Sequence, residues 1–373
     1  MRIRIITDDF TSALDGTACF AERGWNTAVL VRPDGCDSAE VVSLDTDSRE
    51  SPLSSDHDGI TRAATAWRDA EVLTLQFDST LRGRVAHDCV RALAASGRRK
   101  LLLAPAFPSA GRTLEAGRVM VDGVPVHETA FGRDPTLPVR ESSIPVLFQA
   151  HGVNVQIAND AAHARALLDV HDAVVVDART EAELDAIVAR FAGAPDVLLA
   201  GSTGLLRGLA RVLPNSRGTP ADRRNSGSSA GASDVPSARH PWLVVGSMNP
   251  RSRRQLAVAR TACKVHVLTT SEARLPIGTP PQAALRELVQ QVADGITSGQ
   301  CDGLVVTGGE TARRIIDALP AVSLHVCREV MPGVPLALVQ TAHRTFPMIT
   351  KAGGFGDDEA LLTCIHLLAG TKS

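Results

Sequence analysis

The strongest constraint on the fold of this chain is a repeated alternation of short apolar runs with amphipathic helical stretches. Ile3 to Thr7 is followed by a helical stretch from Phe10 to Arg23, and the pattern recurs at Val72 to Phe77 and Arg84 to Ala95. The apolar runs are not interrupted by polar residues at every second position, which indicates strands that are buried on both faces. Parallel strands joined through helices have this signature, so the sequence predicts an α/β fold with mainly parallel sheets.

One stretch of the chain, residues 214–240, differs from the rest in composition. Ser, Gly, Ala, Arg, Pro and Asn dominate it, and it has no apolar periodicity, which is typical of a flexible linker. The chain has 373 residues, which is enough for two ordinary domains. We therefore predict a first domain over residues 1–213, the linker over 214–240 and a second domain over 241–373.

A second interruption of the pattern extends from Pro105 to Pro145 and is rich in proline and glycine. An irregular segment of this length inside a compact domain is usually either functional or disordered. The segment is not of low complexity and it carries several apolar residues. We therefore expect an ordered loop on the substrate side of the first domain.

The composition argues against several classes of partner. The formal net charge is -2, so no basic excess favours nucleic acid or an anionic membrane surface. Aromatic residues make up 3% of the chain and Tyr is absent, so base-stacking surfaces are not expected. No apolar run approaches the ~18 residues of a membrane-spanning helix. We expect neither a nucleic-acid nor a membrane partner.

Cysteine and histidine usage points to a reducing compartment and to no preformed metal centre. The seven cysteines include no C-x-x-C pair, and the eleven histidines show no spacing that is typical of metal ligands. The N-terminus reaches Asp8 and Asp9 too early for a secretory signal. These features together predict a cytoplasmic location.

Polar and glycine-rich clusters stand at the carboxyl ends of predicted strands in both domains. Ligands of open parallel sheets bind at these strand ends, so the shared position suggests binding sites. The clusters are Asp8-Asp9, Asp45 to Arg49, Asp78 to Gly83, Gly246-Ser247, Thr307 to Thr311 and Lys351 to Asp358.

The clusters of the two domains differ in chemistry. Those of the first domain are rich in Asp, Ser, Thr and Arg, which suit a small polyhydroxylated acid because carboxylates accept from hydroxyls and Arg pairs with a carboxylate. Those of the second domain are rich in Gly, Ser and Thr, which allow phosphates to approach the backbone. A sugar acid and a polyphosphate together indicate phosphoryl transfer. The chain has neither a G-x-x-x-x-G-K-[ST] motif nor a G-x-G-x-x-G motif after its first strand.

Each cluster also has a purely structural interpretation. Asp8 and Asp9 can cap a helix, as can Asp357 or Asp358, and Arg82 can form a surface ion pair. Lys351 can be a solvated surface residue, and the glycines after it can serve only a tight turn. A last cluster, of Arg251, Arg253 and Arg254, is typical of a solvated helix face.

Five motifs make the chain resemble the four-carbon acid sugar kinase family. They occur in the expected order and cover nearly the whole chain. The motifs are Asp8-Asp9-Phe10-Thr11-Ser12-Ala13-Leu14-Asp15, Asp78-Ser79-Thr80-Leu81-Arg82-Gly83, Pro105-Ala106-Phe107-Pro108-Ser109-Ala110-Gly111-Arg112-Thr113, Thr307-Gly308-Gly309-Glu310-Thr311 and Lys351-Ala352-Gly353-Gly354-Phe355-Gly356-Asp357.

The resemblance implies a substrate-binding domain followed by a nucleotide-binding domain, and ATP-dependent phosphorylation of a threonate, erythronate or 3-oxo-tetronate type substrate. The candidate substrate-binding residues are Asp8, Asp9, Asp78, Arg82 and Arg112. The candidate nucleotide-binding residues are Ser247, Gly308, Gly309, Glu310, Thr311, Gly353 and Gly354.

Phosphoryl transfer also calls for Mg²⁺ at the phosphates and a carboxylate that orients or deprotonates the attacking hydroxyl. We expect Asp8 or Asp78 to be this catalytic group, with Asp357 as the alternative. Closure of the two domains would exclude water. A homodimer is compatible with the sequence.

The chain departs from the family pattern at two positions before the second motif. Many members have a lysine where this chain has Gln76, and a smaller aliphatic residue where it has Phe77. The second domain also looks shorter than is typical. Two alternative functions therefore remain open, a kinase for a different small hydroxy acid (glycerate-like or aldonic) and a non-catalytic nucleotide or sugar-acid sensor.

Overall fold

The computed structural model describes residues 1–32, 38–51, 58–134, 136–215, 235–247, 249–270 and 281–370. The chain divides into two compact units, which we call the first and the second unit. The first comprises Met1–Asn26 and Arg32–Asp222, and the second comprises Thr27–Val31 and Arg223–Ser373. The predicted flexible linker falls mostly on residues 216–234, outside the described residues.

The strands and helices follow one another in the predicted alternation. The strands are β1 Ile3–Thr7, β2 Thr27–Leu30, β3 Val41–Asp45, β4 Val72–Gln76, β5 Lys100–Ala104, β6 Arg112–Glu115, β7 Arg118–Val121, β8 Val124–Pro125, β9 Val155–Ala158, β10 Ala173–Val176, β11 Val197–Gly201, β12 Pro241–Val245, β13 His266–Thr269, β14 Gly303–Thr307, β15 Ala321–Met331, β16 Val334–Thr341 and β17 Thr345–Lys351. The helices are α1 Phe10–Ala21, α2 Gly59–Ala66, α3 Val85–Ser96, α4 Ile144–Gln149, α5 Ala161–Val170, α6 Glu181–Phe191, α7 Thr203–Val212, α8 Pro250–Ala262, α9 Pro281–Ser298, α10 Gly309–Ala318 and α11 Ala360–Ala369.

The first unit is built on a parallel sheet with the strand order β3-β1-β4-β11-β5-β10-β9. From β1 the chain returns to this sheet on one side, at β3, whereas from β4 it continues through α3 to β5 on the other side. The neighbouring strands β1 and β4 therefore flank the point at which the connections change direction. Ligands of such sheets bind at this point, beyond the carboxyl ends of the strands. The clusters that begin at Asp8 and Asp78 follow these two strands directly.

Local sequence signals account for the helices that border this point. Asp9 caps α1, because its Oδ1 accepts a hydrogen bond of 2.8 Å from the backbone N–H of Ser12. Gly97, in the left-handed conformation at φ 73°, ends α3. The helix α1 packs against α7, and α2 packs against α3, so helices cover the sheet. The predicted α/β class with mainly parallel sheets is confirmed.

The segment from Pro105 to Pro145 is more regular than we expected. It contains the antiparallel sheet β6-β7-β8 and short 3-10 helices at Pro108–Ala110, Val126–Glu128 and Ala130–Arg133. Two-residue turns join its strands, and both residues of each turn have positive φ, 49° and 71° at Ala116-Gly117 and 50° and 80° at Asp122-Gly123. Such turns match the twist of a hairpin, and an Asp-Gly pair is a strong signal for them. The segment that we expected to be an ordered loop therefore contains a small sheet and short helices.

The second unit contains the strands β13, β12, β14 and β17 in parallel, followed by β16, β15 and β2 in antiparallel pairing. Only two residues join β15 to β16, with Gly333 at φ 73°, and a connection this short requires antiparallel strands. The strand β2 comes from the N-terminal part of the chain. Its Thr27 Oγ1 donates a hydrogen bond of 2.9 Å to the carbonyl of Val326.

Candidate active site

Asp8 lies at the carboxyl end of β1 and forms a bidentate ion pair with Arg49, which follows β3. Arg49 Nε donates to Asp8 Oδ2 at 2.8 Å and Arg49 Nη2 donates to Asp8 Oδ1 at 2.7 Å. The same guanidinium donates to Ser12 Oγ at 2.8 Å and pairs with Asp9 at 2.9 Å. Asp8 is only 4% exposed, so this arginine holds its carboxylate in a fixed orientation.

Asp78 follows β4 and is held by the residues of its own motif. Arg82 Nε donates to Asp78 Oδ2 at 2.5 Å, and Thr80 Oγ1 donates to the same oxygen at 2.6 Å. Arg82 also approaches Asp134 at 3.7 Å, and its side chain is 32% exposed. One guanidinium edge is therefore engaged, while part of the group faces solvent where an anionic ligand can reach it.

The backbone of this motif takes conformations that only particular residues tolerate. Leu81 has a φ of 64°, which is rare for a residue other than glycine. Gly83 has a φ of 90°, and a Cβ there would lie 2.8 Å from Arg49 Cγ. Glycine at position 83 thus lets the Asp78 motif pack directly on Arg49. This packing brings the motifs that follow β1, β3 and β4 into contact.

The two carboxylates differ in their pKa values. Burial raises the pKa of Asp8 to about 6, against the opposing charge of Arg49, and the neighbouring carboxylates of Asp9 and Asp78 add to the increase. Burial alone would also raise the pKa of Asp78, but the charges of Arg82 and Arg49 outweigh it and hold that pKa well below its usual range. Asp78 is therefore a weak base, and Asp8 is the better proton acceptor near neutral pH.

Arg112 and Arg82 both lie against the aromatic ring of Phe131. The guanidinium carbon of Arg82 lies 5.7 Å from the ring centroid of Phe131, and that of Arg112 lies 5.9 Å from it. Arg112 donates to the carbonyl of Ala110, while its buried Nε has no hydrogen-bond partner. Burial lowers the pKa of Arg112. The segment that we expected on the substrate side thus brings a second guanidinium to the site.

Gln76 does not replace the charge of the lysine that many family members have at this position. It is 1% exposed, and its Nε2 donates to Thr203 Oγ1 at 3.0 Å, which in turn donates to Asp15 Oδ2 at 2.9 Å. The buried oxygens Gln76 Oε1 and Asp15 Oδ1 have no hydrogen-bond partner. Phe77 is buried and contributes to the core.

In the second unit, the predicted nucleotide-binding residues converge around Ser247. A Cβ at Gly353 would overlap Ser247 Oγ, and a Cβ at Gly308 would lie 3.3 Å from the backbone nitrogen of Ser247 and 3.4 Å from Thr311 Oγ1. A Cβ at Gly246 would overlap Thr311 Oγ1. The structure thus brings together Ser247, Gly308, Thr311 and Gly353, and glycine is needed for this close packing.

Two helices begin at this cluster. Gly309 is the first residue of α10, and α8 begins just after Asn249, whose Oδ1 accepts from the backbone N–H of Arg251 at 2.9 Å. Helix N-termini favour anions, so the cluster has the features of a phosphate site. Glu310 is exposed. Gly354 is packed less tightly, because a Cβ there would come no closer than 3.7 Å to another residue.

Hydrogen-bond donors surround the carbonyl groups of the loop between β17 and α11. Lys351 Nζ donates to the carbonyls of Ala352, Gly353 and Phe355 at 3.0, 3.2 and 3.1 Å. Three residues of α8 donate to the same loop. They are Arg251, to the carbonyl of Gly354, Ser252, to that of Gly353, and Gln255, to those of Phe355, Gly356 and Asp357. Lys351 is 1% exposed, so the interpretation as a solvated surface lysine was wrong.

Asp357 acts as a local cap in this loop. Its Oδ1 accepts a hydrogen bond of 3.1 Å from the backbone N–H of Glu359, just before α11, and its side chain is exposed. Within the described residues, no three His, Cys, Asp or Glu side chains group together as metal ligands. The residues around this cluster fit Mg²⁺ only if the nucleotide phosphates supply most of its ligands. The protein would then contribute at most one or two carboxylates, such as Asp357 or Glu310.

Sequence reasoning missed two residues of the first site. Arg49 belonged to a cluster that we noted, but nothing marked it as the partner of Asp8, because the pairing joins the ends of separate strands. Phe131 gave no signal as a single aromatic residue in a loop. No helix in the described part of the chain is long and apolar enough to cross a membrane.

The chain matches two family models in succession. A sugar-binding N-terminal domain matches residues 3–209, and a nucleotide-binding C-terminal domain matches residues 268–361. The first match covers the unit with the carboxylate and arginine cluster, and the second covers most of the glycine-rich cluster.

Curated relatives carry the names of related kinases. The chain is 30% identical to a D-threonate kinase of Bordetella bronchiseptica, with 96% of each chain covered. It is 26% identical to a D-erythronate kinase of Heliobacterium modesticaldum, which covers 98% of this chain and 96% of the relative. It is also 26% identical to a 3-oxo-tetronate kinase of Pseudomonas fluorescens, at 99% and 97% coverage.

Solved structures share the fold. A crystal structure from Salmonella typhimurium superposes with a TM-score of 0.80 at 20% identity and covers 97% of this chain and 98% of that one, a likeness that shows the fold alone. A Bordetella bronchiseptica structure with bound citrate, a domain-swapped dimer, matches with a TM-score of 0.50 at 28% identity over 100% of this chain and 99% of that one.

Proposed function

Because the chain belongs to the four-carbon acid sugar kinase family, we propose that it transfers the γ-phosphoryl group of ATP to a hydroxyl of threonate, erythronate or a 3-oxo-tetronate. The observation that carries this proposal is the pairing of two complementary sites in one chain. Buried carboxylates and arginines cluster in the unit that matches a sugar-binding domain. Glycines and helix N-termini cluster in the unit that matches a nucleotide-binding domain.

Arg82 binds the carboxylate of the acid sugar in this proposal. One edge of its guanidinium is held by Asp78, and the rest of the side chain is partly exposed. An arginine offers a planar fork of donors that matches a carboxylate, and its fixed orientation lowers the entropic cost of binding. Arg112, which contacts the same Phe131 ring, adds a second positive charge. Asp78 and Asp9 remain available to accept hydrogen bonds from sugar hydroxyls.

Asp8 serves as the general base. Arg49 fixes its orientation, and burial holds its pKa at about 6, so the carboxylate is deprotonated at neutral pH yet retains proton affinity. Asp8 accepts the proton of the attacking hydroxyl as that oxygen forms a bond to the γ-phosphorus. The bond between the γ-phosphorus and the bridging oxygen breaks, and ADP leaves with that oxygen.

The backbone of the second unit binds the nucleotide phosphates. The loops at Gly308-Gly309 and Gly353-Gly354 and the start of α8 supply N–H groups and partial positive charge, and Ser247 and Thr311 supply hydroxyls. Mg²⁺, held by the phosphates with at most one or two carboxylates such as Asp357 or Glu310, would supply positive charge that offsets that of the phosphates. The side chains then need only position the nucleotide.

Two further attributes belong to the proposal. We place the protein in the cytoplasm, because the cysteines that the structure describes are all free thiols. A homodimer is proposed by analogy with the domain-swapped dimer of the Bordetella bronchiseptica structure.

An ADP-release screen of the purified protein tests the function. The panel contains D- and L-threonate, D- and L-erythronate, 3-oxo-tetronates, glycerate and longer aldonic acids, each with ATP and Mg²⁺. We expect turnover with a four-carbon acid, and turnover that is slower by about 10³-fold with the Asp8→Asn variant. Turnover only with glycerate or an aldonic acid would show that the substrate is not a four-carbon acid sugar. ATP binding without turnover of any acid would favour a non-catalytic sensor.

A further inference from the structure

Lys351 stands at the start of a glycine-rich loop, where a lysine would ordinarily be interpreted as a phosphate ligand. Its position in the structure is different. The side chain is 1% exposed, and its ammonium group has three hydrogens that are directed to three carbonyl oxygens of the loop, those of Ala352, Gly353 and Phe355. With three donors and three acceptors, no donor remains for a phosphate.

We propose that Lys351 is a positioning residue that holds the glycine loop in its nucleotide-binding conformation by engaging the loop carbonyls from inside, without contacting the nucleotide. The inference rests on the proposed function, because it concerns the loop that would bind ATP. The single lysine of the motif is then a residue that supports the loop, and it is not a ligand of the phosphates.

The directions of the carbonyl groups support this role. A carbonyl oxygen carries partial negative charge, and one that faced the phosphates would repel them. Lys351 draws three of these oxygens toward the interior of the unit, and the backbone N–H groups of Gly353 and Gly354 have no acceptor within the described residues. These N–H groups remain available for an anion, as in other backbone phosphate sites.

The surroundings of Lys351 explain why a buried ammonium is tolerated. Burying an unpaired ammonium is costly, but three carbonyl partners offset much of that cost. Lys351 ends β17, where it pairs in register with Thr307, directly before Gly308. The backbone N–H of Gly308 donates to the carbonyl of Lys351 at 3.0 Å, so one residue links both glycine-rich loops.

The loop should keep its overall path without the ammonium. Ser252 Oγ still donates to the carbonyl of Gly353 at 2.9 Å, and Gln255 Nε2 still donates to that of Phe355 at 3.0 Å. The carbonyl of Ala352 likewise keeps a hydrogen bond of 3.1 Å from the backbone N–H of Phe355. We therefore expect a folded variant whose loop is less ordered.

The test compares Lys351→Met with Lys264→Met, a change at an exposed lysine of the same unit. Nucleotide affinity is measured by calorimetry, kinetics by KM and kcat for each substrate, and loop order by amide hydrogen exchange without nucleotide. Lys351→Met should weaken ATP binding about tenfold or more, leave the KM for the acid within about twofold, and speed exchange in residues 352–357. Lys264→Met should change none of these.

The outcomes separate the inference from the function. If the wild-type protein does not bind ATP, the proposed function fails first. If it binds ATP and Lys351→Met binds it equally well, the positioning role is wrong. If affinity falls while amide exchange in the loop stays as slow as in the wild type, Lys351 contacts the nucleotide directly and the inference is again wrong.

The wild-type protein gives a second test in case Lys351→Met does not fold. The chain has four lysines, Lys100, Lys264, Lys351 and Lys372. Lys351 should resist acylation by acetic anhydride both with and without ATP, whereas the exposed Lys264 should react in both conditions. A direct phosphate ligand would react in the free protein and be protected by ATP, and that result would overturn the proposal.

Discussion

The two candidate sites of this protein offer different kinds of groups for the binding of anions. The first unit uses charged side chains, with Asp8, Arg49, Asp78 and Arg82 held in ion pairs of 2.5 to 2.8 Å. The second unit uses backbone and close packing, with glycines whose missing side chains leave room for Ser247 and Thr311. The first site should therefore be sensitive to the removal of a group and to pH, and the second to the addition of even one carbon atom.

The largest effect should come from Asp8→Asn. An amide cannot accept the proton of the attacking hydroxyl, so kcat should fall by about 10³-fold, within the range for the loss of a general base. Asp169→Asn, at an exposed carboxylate of the same unit that pairs with Arg165, is the control and should leave kcat unchanged. The measurement is steady-state kinetics at saturating ATP. If Asp8→Asn retains more than about a tenth of the activity, Asp8 is not the base.

Arg82→Ala should raise the KM for the acid by about 100-fold, because a charged hydrogen-bond partner of the carboxylate is lost. The KM for ATP should stay within about twofold, since the effect belongs to the first site. Arg91→Ala, at an exposed arginine that pairs with Asp58, is the control and should change neither constant. An unchanged KM for the acid in Arg82→Ala would show that another group holds the carboxylate.

Two neighbouring glycines test the packing of the second site. Gly353→Ala would place a methyl group against Ser247 Oγ and should weaken ATP binding about tenfold. Gly354→Ala, with no atom closer than 3.7 Å to its new Cβ, should weaken it by about twofold or less. Calorimetric titration with ATP gives both constants. Equal losses would mean that close packing at Gly353 does not define the site.

The pH dependence of turnover should also distinguish the sites. A general base must be deprotonated, and the pKa of Asp8 is raised to about 6. The kcat/KM for the acid should therefore be flat above pH 6 and fall about tenfold per unit below it, while the protein remains folded. ATP binding, measured without the acid, should not follow this curve. A profile with no inflection between about pH 5 and 7 would contradict the assignment of Asp8.

The smallest effect is expected for Asp357→Asn. The side chain is exposed and caps Glu359, and an Asn at this position retains an acceptor for that backbone N–H. We expect kcat to change by less than about threefold, as measured by ADP release at saturating substrates. A loss of about 100-fold in kcat would indicate that the general base is Asp357, in the second site, rather than Asp8, in the first.

The predicted kinase class is confirmed by the curated relatives, which are named threonate, erythronate and 3-oxo-tetronate kinases. These kinase relatives imply the use of ATP, while Mg²⁺ remains a proposal. The roles of individual site residues also stay predictions. The structure shows only that residues of each candidate site lie close together. Asp78 and Arg82 are in contact, and Ser247 packs against Gly308 and Gly353.

Some parts of the fold could be predicted because their signals are local. The apolar run at Ile3 to Thr7 predicted the bounds of β1, and the run at Val72 to Phe77 predicted those of β4, Val72–Gln76, to within one residue. The hairpin turn at Asp122-Gly123 was also a local signal, although we did not use it. The pairing of β2 with β15 had no such signal, since it joins residues nearly 300 positions apart.

The sequence by itself determined the α/β alternation, the strand ends that carry polar and glycine-rich clusters, and the family to which the chain belongs. These features are encoded in contiguous residues, where apolar periodicity and short motifs are visible. Tertiary structure alone decided that Arg49 is the partner of Asp8, that Phe131 contacts both Arg82 and Arg112, and that Lys351 faces inward. Each of these depends on how a side chain is directed by packing among strand ends and loops, and no local pattern specifies that direction.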